Sequence, residues 1–427
     1  MNRCRLARRS GSKGGEKGAG RRVLAGVVLV LHLSLVASAC GEPKVKVGAD
    51  VLIEKRLDVL KGKRVGLITN QTGRIASGEM LVDALLAKGV NVTALFGPEH
   101  GIRGESAAGE LVVGGKDEKT GIPVFSLYGK TRKPTPEMLR NVDLLVYDIQ
   151  DVGARFYTYI STMALAMEAA AEGNIPFLVL DRPNPLGGKK IDGPLMEDSL
   201  RSFIGMLPIP VVYGLTGGEL ATMINWESWL SNGVRAQLTV IPMEGWSRSM
   251  LWNETGLQWI APSPNIPTAA TALAYPATCF IEATNVSEGR GTDAPFELIG
   301  APFIDGSALA SALSLLKLPG VEFQPASFTP RSSKFSGKEC RGIRVKVTEP
   351  GSFQPVLTGL HILQQIQKLW PAEFRIDRQS FGRLMGSGSV FDALMNGERP
   401  DSIVAQWQGK LDKFRVLSSR YLLYDSQ

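Results

Sequence analysis

Past residue 50 the chain alternates short, nearly continuous apolar runs with longer stretches whose apolar residues recur every three to four positions. Arg64 to Thr69, Val92 to Phe96, Ile122 to Ser126, Leu144 to Asp148 and Phe177 to Asp181 are such runs, rich in Val, Leu and Ile. A run without polar alternation predicts a strand buried on both faces. Between them the spacing predicts helices over Gly78 to Lys88 and Phe156 to Glu172. Another helix is expected over Thr216 to Leu230, where Thr216 and Glu219 form a capping-box signature. Strands joined through helices imply an α/β fold with a Rossmann-like parallel sheet in the N-terminal domain. From about Pro262 the pattern changes. Helices over Ser307 to Leu316, Pro355 to Leu369 and Ser402 to Leu417, with strands over Val321 to Phe323 and Ile343 to Val347, predict a smaller α+β C-terminal domain. The expected division is residues 51–261 and 262–427.

The first residues follow a different pattern, and they change how the charge is read. The chain carries a formal charge of +7, but residues 1–22 hold eight Lys/Arg against one Glu, and residues 23–39 hold no charge. From Cys40 onward 40 basic residues balance 40 acidic ones. The basic surplus therefore sits in a segment that reads as a lipoprotein signal peptide: a basic start, an apolar core to Val36, then Ala37-Ser38-Ala39-Cys40. Cleavage would leave Cys40 to carry lipid, with residues 40–50 as a tether and the protein lipid-anchored in the cell envelope on the periplasmic side, at the outer membrane where the cell has one. Nucleic acid loses its main support as a partner. Cys279 and Cys340 remain as a possible disulfide or as two buried thiols.

In a parallel sheet, ligands gather outside the carboxyl ends of the strands, and polar residues crowd there. Asn70 follows the first run; Glu99, His100 and Arg103 follow the second. Asp148, Gln150, Asp151, Arg155 and Tyr157 follow the fourth, and Arg182 and Asn184 the fifth. No glycine-rich phosphate fingerprint follows the first strand, so no nucleotide cofactor is expected. Two distant histidines, His100 and His361, give no metal-ligand spacing. Glu99, held between Pro98 and His100-Gly101, has the setting of a general acid whose proton is retained by desolvation. The segment from Ile281 to Glu297 packs polar groups between glycines, with Glu288 as a candidate acid or base and Arg290 as an anion clamp. Trp246, Trp252 and Trp259 are either core or platforms for a sugar ring.

Five stretches together carry a resemblance: GLITNQTG from Gly66, FGPEHG from Phe96, YDIQDVGARFYTY from Tyr147, LDRPNP from Leu180 and TNVSEGRGT from Thr284. In this order they resemble the bacterial exo-β-N-acetylmuramidase family, once a domain-of-unknown-function family and now a glycoside hydrolase family. The resemblance runs from about Val51 to Gln427. It implies removal of non-reducing terminal N-acetylmuramic acid from peptidoglycan fragments in a cleft between the two domains, without a cofactor. It maps a catalytic glutamate onto Glu99 and a second onto Glu168, with Asp151 and Glu288 in reserve. Glu168 lies about 15 Å along its helix by the standard rise, which argues for a structural role. Muramic acid carries a lactyl carboxylate, so an arginine in the cleft is the expected specificity device; Arg155 and Arg290 are the first candidates, Arg182 the third. The contrasting expectation is a lipoprotein that binds muropeptides without cleaving them.

Overall fold

In the computed structural model, residues 44–103 and 115–425 are described. The signal segment and residues 40–43, Cys40 among them, lie outside them; the rest of the expected tether is not a free linker, because Val45, Val47 and Ala49 are buried and a helix begins at Gly48. The apolar runs form β1 (Val65–Thr69), β2 (Val92–Gly97), β4 (Pro123–Ser126), β5 (Leu144–Asp148) and β6 (Phe177–Leu180), joined by a short β3 (Gly115–Lys116) and by β7 (Leu238–Ile241). Every residue of β1, β5 and β6 is buried, as their lack of alternation implies. The sheet runs β3-β4-β2-β1-β5-β6-β7, and all pairs but β3–β4 are parallel. Setting aside the two-residue β3, the third, second, first, fourth, fifth and sixth strands follow one another across the sheet. This is the Rossmann order, with its switch point between β1 and β5.

Helices cover both faces. On one side α1 (Gly48–Lys55) packs against β6 and β7 and α2 (Leu81–Ala87) against β2; on the other, α4 (Tyr159–Glu172) and α5 (Gly217–Trp226) bury Met163, Met167, Leu220 and Ile224. The short α3 (Pro136–Leu139) is capped by Thr135. Helix α5 opens at the expected box: the Thr216 hydroxyl accepts from the Glu219 amide, and the Glu219 carboxylate accepts from the Thr216 amide. It stops at Trp226, four residues short of the expected end, because Ser228 turns with a positive φ of 56°.

The C-terminal part holds an antiparallel sheet, β8-β10-β9, made of β8 (Leu298–Ala301), β9 (Val321–Phe328) and β10 (Cys340–Val347). Around it pack α6 (Ala269–Thr278), α7 (Gly306–Ser314) and α8 (Pro355–Leu369), all contributing to one large apolar cluster. The stretch expected as a single helix near the C-terminus is two, α11 (Pro400–Ala405) and α12 (Gln408–Ser418). Two further helices, α9 (Arg378–Met385) and α10 (Gly388–Met395), precede them. Gly386 in the left-handed region separates α9 from α10. Trp246 and Trp252 are buried, and Trp259 packs edge-on against Trp252, which makes these aromatics core. Cys279 and Cys340 are both free and buried. His361 is buried in α8 near Asp401.

Candidate active site

Strand register brings the first elements of the site together. Gly97 at the end of β2 pairs with Ser126 at the end of β4, so Glu99 and Tyr128, each two residues further on, emerge side by side. Between Pro98 and Gly101 the chain makes a turn closed by the Gly101 amide donating to the Pro98 carbonyl at 3.1 Å. His100 holds a φ of +75° there, a position where glycine is the ordinary occupant. A non-glycine residue kept in that region stores strain of about 1 kcal/mol or more, a pattern that concentrates at functional sites. The turn leaves Glu99 part-exposed. The Tyr128 hydroxyl is hydrogen-bonded to it, and burial together with the Glu99 charge pushes the Tyr128 pKa up to about 12. The Thr158 hydroxyl donates to Glu99 Oε2 at 3.4 Å.

Glu99, His100 and Tyr128 form one wall of a cavity that encloses about 1070 Å³, counting the space open to solvent. Tyr157 and Thr158 ahead of α4, Arg132 ahead of α3, and the 202–204 segment extend that wall. Tyr275, Cys279, Glu282, Arg290 and Arg383 supply the other side, so the cavity is built from both the large-sheet and the small-sheet parts of the chain. Glu282 sits on a single 3-10 turn, Cys279–Ala283, after α6. Burial pushes its carboxyl above the usual carboxylate range, against the pull of Arg290, whose Nη2 donates to Glu282 Oε1 at 2.6 Å. Arg132 is exposed, with its guanidinium 4.3 Å above the Phe203 ring centre; Arg383 is exposed as well.

Of the residues anticipated from sequence, Glu99, His100, Tyr157 and Arg290 line this cavity. Asn70, Asp148, Gln150, Asp151, Arg182 and Asn184 do not, for one shared reason: the crevice at the β1/β5 switch point is occupied by the protein's own polar groups. Arg182 makes a two-pronged pair with Asp148, Nε to Oδ1 at 2.6 Å and Nη2 to Oδ2 at 2.9 Å, and both are buried. Asn70 accepts from Thr72, whose hydroxyl accepts from the Gln150 amide. Gln150 Nε2 donates to the Asp151 and Pro183 carbonyls, and Asn184 Nδ2 donates to the Leu215 carbonyl. Asp151 accepts from the Tyr213 hydroxyl and the Gly153 amide; burial pushes its pKa up to about 6. It lines a smaller, more enclosed space together with Asp181, Arg182 and Asn184. Where a dinucleotide would sit in other Rossmann folds, this chain has buried polar side chains bonded to one another and to its backbone.

Four further anticipated residues are engaged elsewhere. Glu168 is buried on α4, where Lys133 Nζ lies 2.6 Å from Oε1 and the Ser231 amide donates to Oε2 at 2.8 Å. Burial would raise its pKa, but Lys133 and Ser231 outweigh that and hold it below the ordinary range. Arg155 has no solvent exposure. It donates to the carbonyls of Pro194 and Ile209, both at 2.8 Å, and to those of Leu384 and Met385 at 2.9 and 2.7 Å. Burial draws its pKa down to about 9, so it stays charged at neutral pH while bound wholly to backbone. Glu288 is 2% exposed, flanked by Arg290 and Lys334. Arg103 is held by both oxygens of Asp117.

Sequence reading passed over Glu282, Tyr128, Arg132 and Arg383. For Tyr128 a signal existed, because it follows the third apolar run just as Glu99 follows the second. Glu282 lies inside the polar segment already singled out, but a single 3-10 turn has no periodicity to say which way it faces. Among the described residues no group of His, Cys, Asp and Glu could hold a metal ion.

A Rossmann-ordered sheet joined to a smaller α+β part, with two glutamates and three arginines converging on one cavity, defines a two-domain α/β protein of the glycoside hydrolase kind. The chain belongs to the NamZ family of exo-β-N-acetylmuramidases: residues 65–270 match its N-terminal domain and residues 273–424 its C-terminal domain. A Bacillus subtilis (strain 168) protein, peptidoglycan beta-N-acetylmuramidase NamZ, is 50% identical over 385 residues, 90% of this chain and 92% of that protein. Two crystal structures of DUF1343 family proteins from Bacteroides fragilis NCTC 9343 are similar over 90% of this chain. One superposes with a TM-score of 0.84 at 42% identity and is covered completely; the other gives 0.74 at 33% identity and is covered to 99%.

Proposed function

We propose that the exo-β-N-acetylmuramidase reaction of this family is carried in this chain by Glu99 and Glu282, acting on non-reducing terminal N-acetylmuramic acid of peptidoglycan fragments. The observation that carries this reading is their meeting on one cavity from opposite parts of the fold. Glycoside hydrolysis ordinarily uses two carboxyl groups, one to protonate the departing oxygen and one to act as base or nucleophile. Glu99, bonded to two hydroxyls that can accept as well as donate, can carry the proton. Glu282 is the second carboxyl: burial makes it more basic, and a single bond from Arg290 orients it. Because Glu168 is tied to Lys133 and the Ser231 amide, it has no part in this reading.

The lactyl carboxylate is read by Arg132 and Arg383, the two exposed arginines on the cavity wall, in place of the carbonyl-bound Arg155. A charge-assisted hydrogen bond is worth about 1.5–3 kcal/mol, so losing both arginines should be felt strongly. The test uses para-nitrophenyl β-N-acetylmuramide and the matching glucosaminide. The native protein should release nitrophenol from the muramide, and in Arg132→Ala/Arg383→Ala the muramide-to-glucosaminide ratio of kcat/KM should fall about 10- to 100-fold. An unchanged ratio rejects this arginine assignment. Binding of a muramic-acid disaccharide by the folded native protein, with no release from either substrate, favours the non-catalytic muropeptide-binding reading.

We place the enzyme in the cell envelope, held to a membrane by lipid on Cys40, on the strength of the basic start, the apolar core and the Ala-Ser-Ala-Cys exit in the sequence. Expressed in a host with lipoprotein processing, the full chain should incorporate labelled palmitate and sediment with membranes, whereas Cys40→Ser should lose the label. Label retained in Cys40→Ser rules the anchor site out.

A further inference from the structure

Glu282 and Arg290 are the inner end of a longer row of charges that runs away from the cavity. Arg290 Nη2 lies 2.6 Å from Glu282, its Nε 3.4 Å from Glu288 Oε1, and Lys334 Nζ lies 3.1 Å from Glu288 Oε2. Lys334 comes from the connection between β9 and β10, distant in sequence from the other three. The same Nζ donates to the carbonyls of Ile281, Glu282 and Val286 at 3.0, 3.1 and 3.0 Å. One ammonium thus pins the backbone on both sides of the cavity glutamate. The connection also abuts the glycine-rich loop directly. The Arg331 amide donates to the Gly291 carbonyl at 2.8 Å, and a Cβ at Gly291, where φ is +80°, would lie 2.5 Å from the Ser332 carbonyl oxygen.

We propose that Lys334 is a positioning residue for the reaction: by neutralising Glu288 it leaves Arg290 to hold Glu282 toward the cavity. This rests on the assignment of Glu282 made above. The electrostatic reason is that Glu288 is a nearly fully buried carboxylate, and a buried charge left without a compensating cation is strongly unfavourable. With Lys334 absent, Arg290 is the remaining cation beside Glu288 and is drawn toward it. Glu282 then loses its orienting bond, and the carbonyls of its turn lose their common donor. Displacement of a reacting group by about 1 Å can cost on the order of 100-fold in rate.

The experiment measures kcat, KM and the pH profile of the muramide reaction for Lys334→Met, Lys334→Arg, Glu282→Gln and the double variant Glu288→Gln/Lys334→Met. Lys334→Met should lower kcat about 10- to 100-fold with KM changed less than about threefold, and the acidic limb of the profile should move to higher pH because Arg290 no longer favours ionised Glu282. Lys334→Arg should recover part of the loss. The double variant should recover more, since removing the Glu288 charge frees Arg290 to return; it also decides the matter should Lys334→Met fold poorly. Native kcat and an unmoved acidic limb in Lys334→Met overturn the proposal, as does a double variant no faster than Lys334→Met. If Glu282→Gln retains native turnover, the assignment of Glu282 itself falls, an outcome distinct from loss in Glu282→Gln with Lys334→Met unaffected.

Discussion

Glu99→Gln is expected to lower kcat on a disaccharide with N-acetylmuramic acid at its non-reducing end by about 10³-fold, within the range set by loss of a general acid or base. The same variant should lose far less on the para-nitrophenyl muramide, because nitrophenolate leaves without needing a proton. Glu282→Gln should be impaired on both substrates, since attack at the sugar carbon is common to them. KM should change little in either variant, because each removes a group used mainly in the transition state. The reverse pattern, with Glu282→Gln rescued by the good leaving group, would exchange the two roles. Equal activity of Glu99→Gln and native protein on the disaccharide would remove Glu99 from the chemistry. The pH profile adds a check. Burial raises the Glu282 pKa, and a base works only when ionised, so activity should fall as pH drops through a value above the ordinary Glu pKa of about 4.3. In Glu282→Gln that limb should vanish from the residual activity.

Arg155→Met is expected to destabilise the protein by several kcal/mol, because each buried carbonyl left without its donor costs about 1–3 kcal/mol. Four carbonyls, from residues 194, 209, 384 and 385, converge on this one guanidinium, and methionine offers them nothing. Gly386 underlines how closely the site is fitted: a Cβ there would lie 2.4 Å from Arg155 Nη2. The midpoint of urea unfolding should fall accordingly, while the fraction that remains folded keeps the native preference for muramide over glucosaminide. Native stability with lost selectivity would return Arg155 to the role first expected of it, that of reading the lactyl carboxylate.

The two variants of arginine differ in a way that local sequence does not display. Arg155 stands in a polar loop beside aspartates, and Arg383 on a short helix toward the end of the chain. The buried one has four backbone partners, two of them more than 200 residues away, while Arg383 reaches the cavity only because α9 packs against the 3-10 turn that carries Glu282. Strand-end position was a sound guide to where polar residues gather. It could not separate Asp148 and Arg182, which pair with each other, and Gln150, which bonds backbone carbonyls, from Glu99 and Tyr128, which face open space.

What the sequence determined by itself was local. Runs of Val, Leu and Ile have no polar face to offer water, and four of the five became buried strands; the run at Ile122 to Ser126 instead forms the part-exposed β4 beside the two-residue edge strand. Thr216 and Glu219 satisfy each other's backbone amides wherever that helix sits. The FGPEHG turn places Glu99 at a strand mouth through bonds spanning only a few residues. Tertiary structure decided the rest. Which crevice is filled and which is open depends on the order of strands across the sheet, and the second carboxyl arrives on a turn too short to carry a pattern. The ammonium that pins the backbone of that turn, Lys334, comes from a connection about fifty residues further on. Periodicity records which side of an element is buried; a polar side chain's partner is set by what the fold brings opposite it.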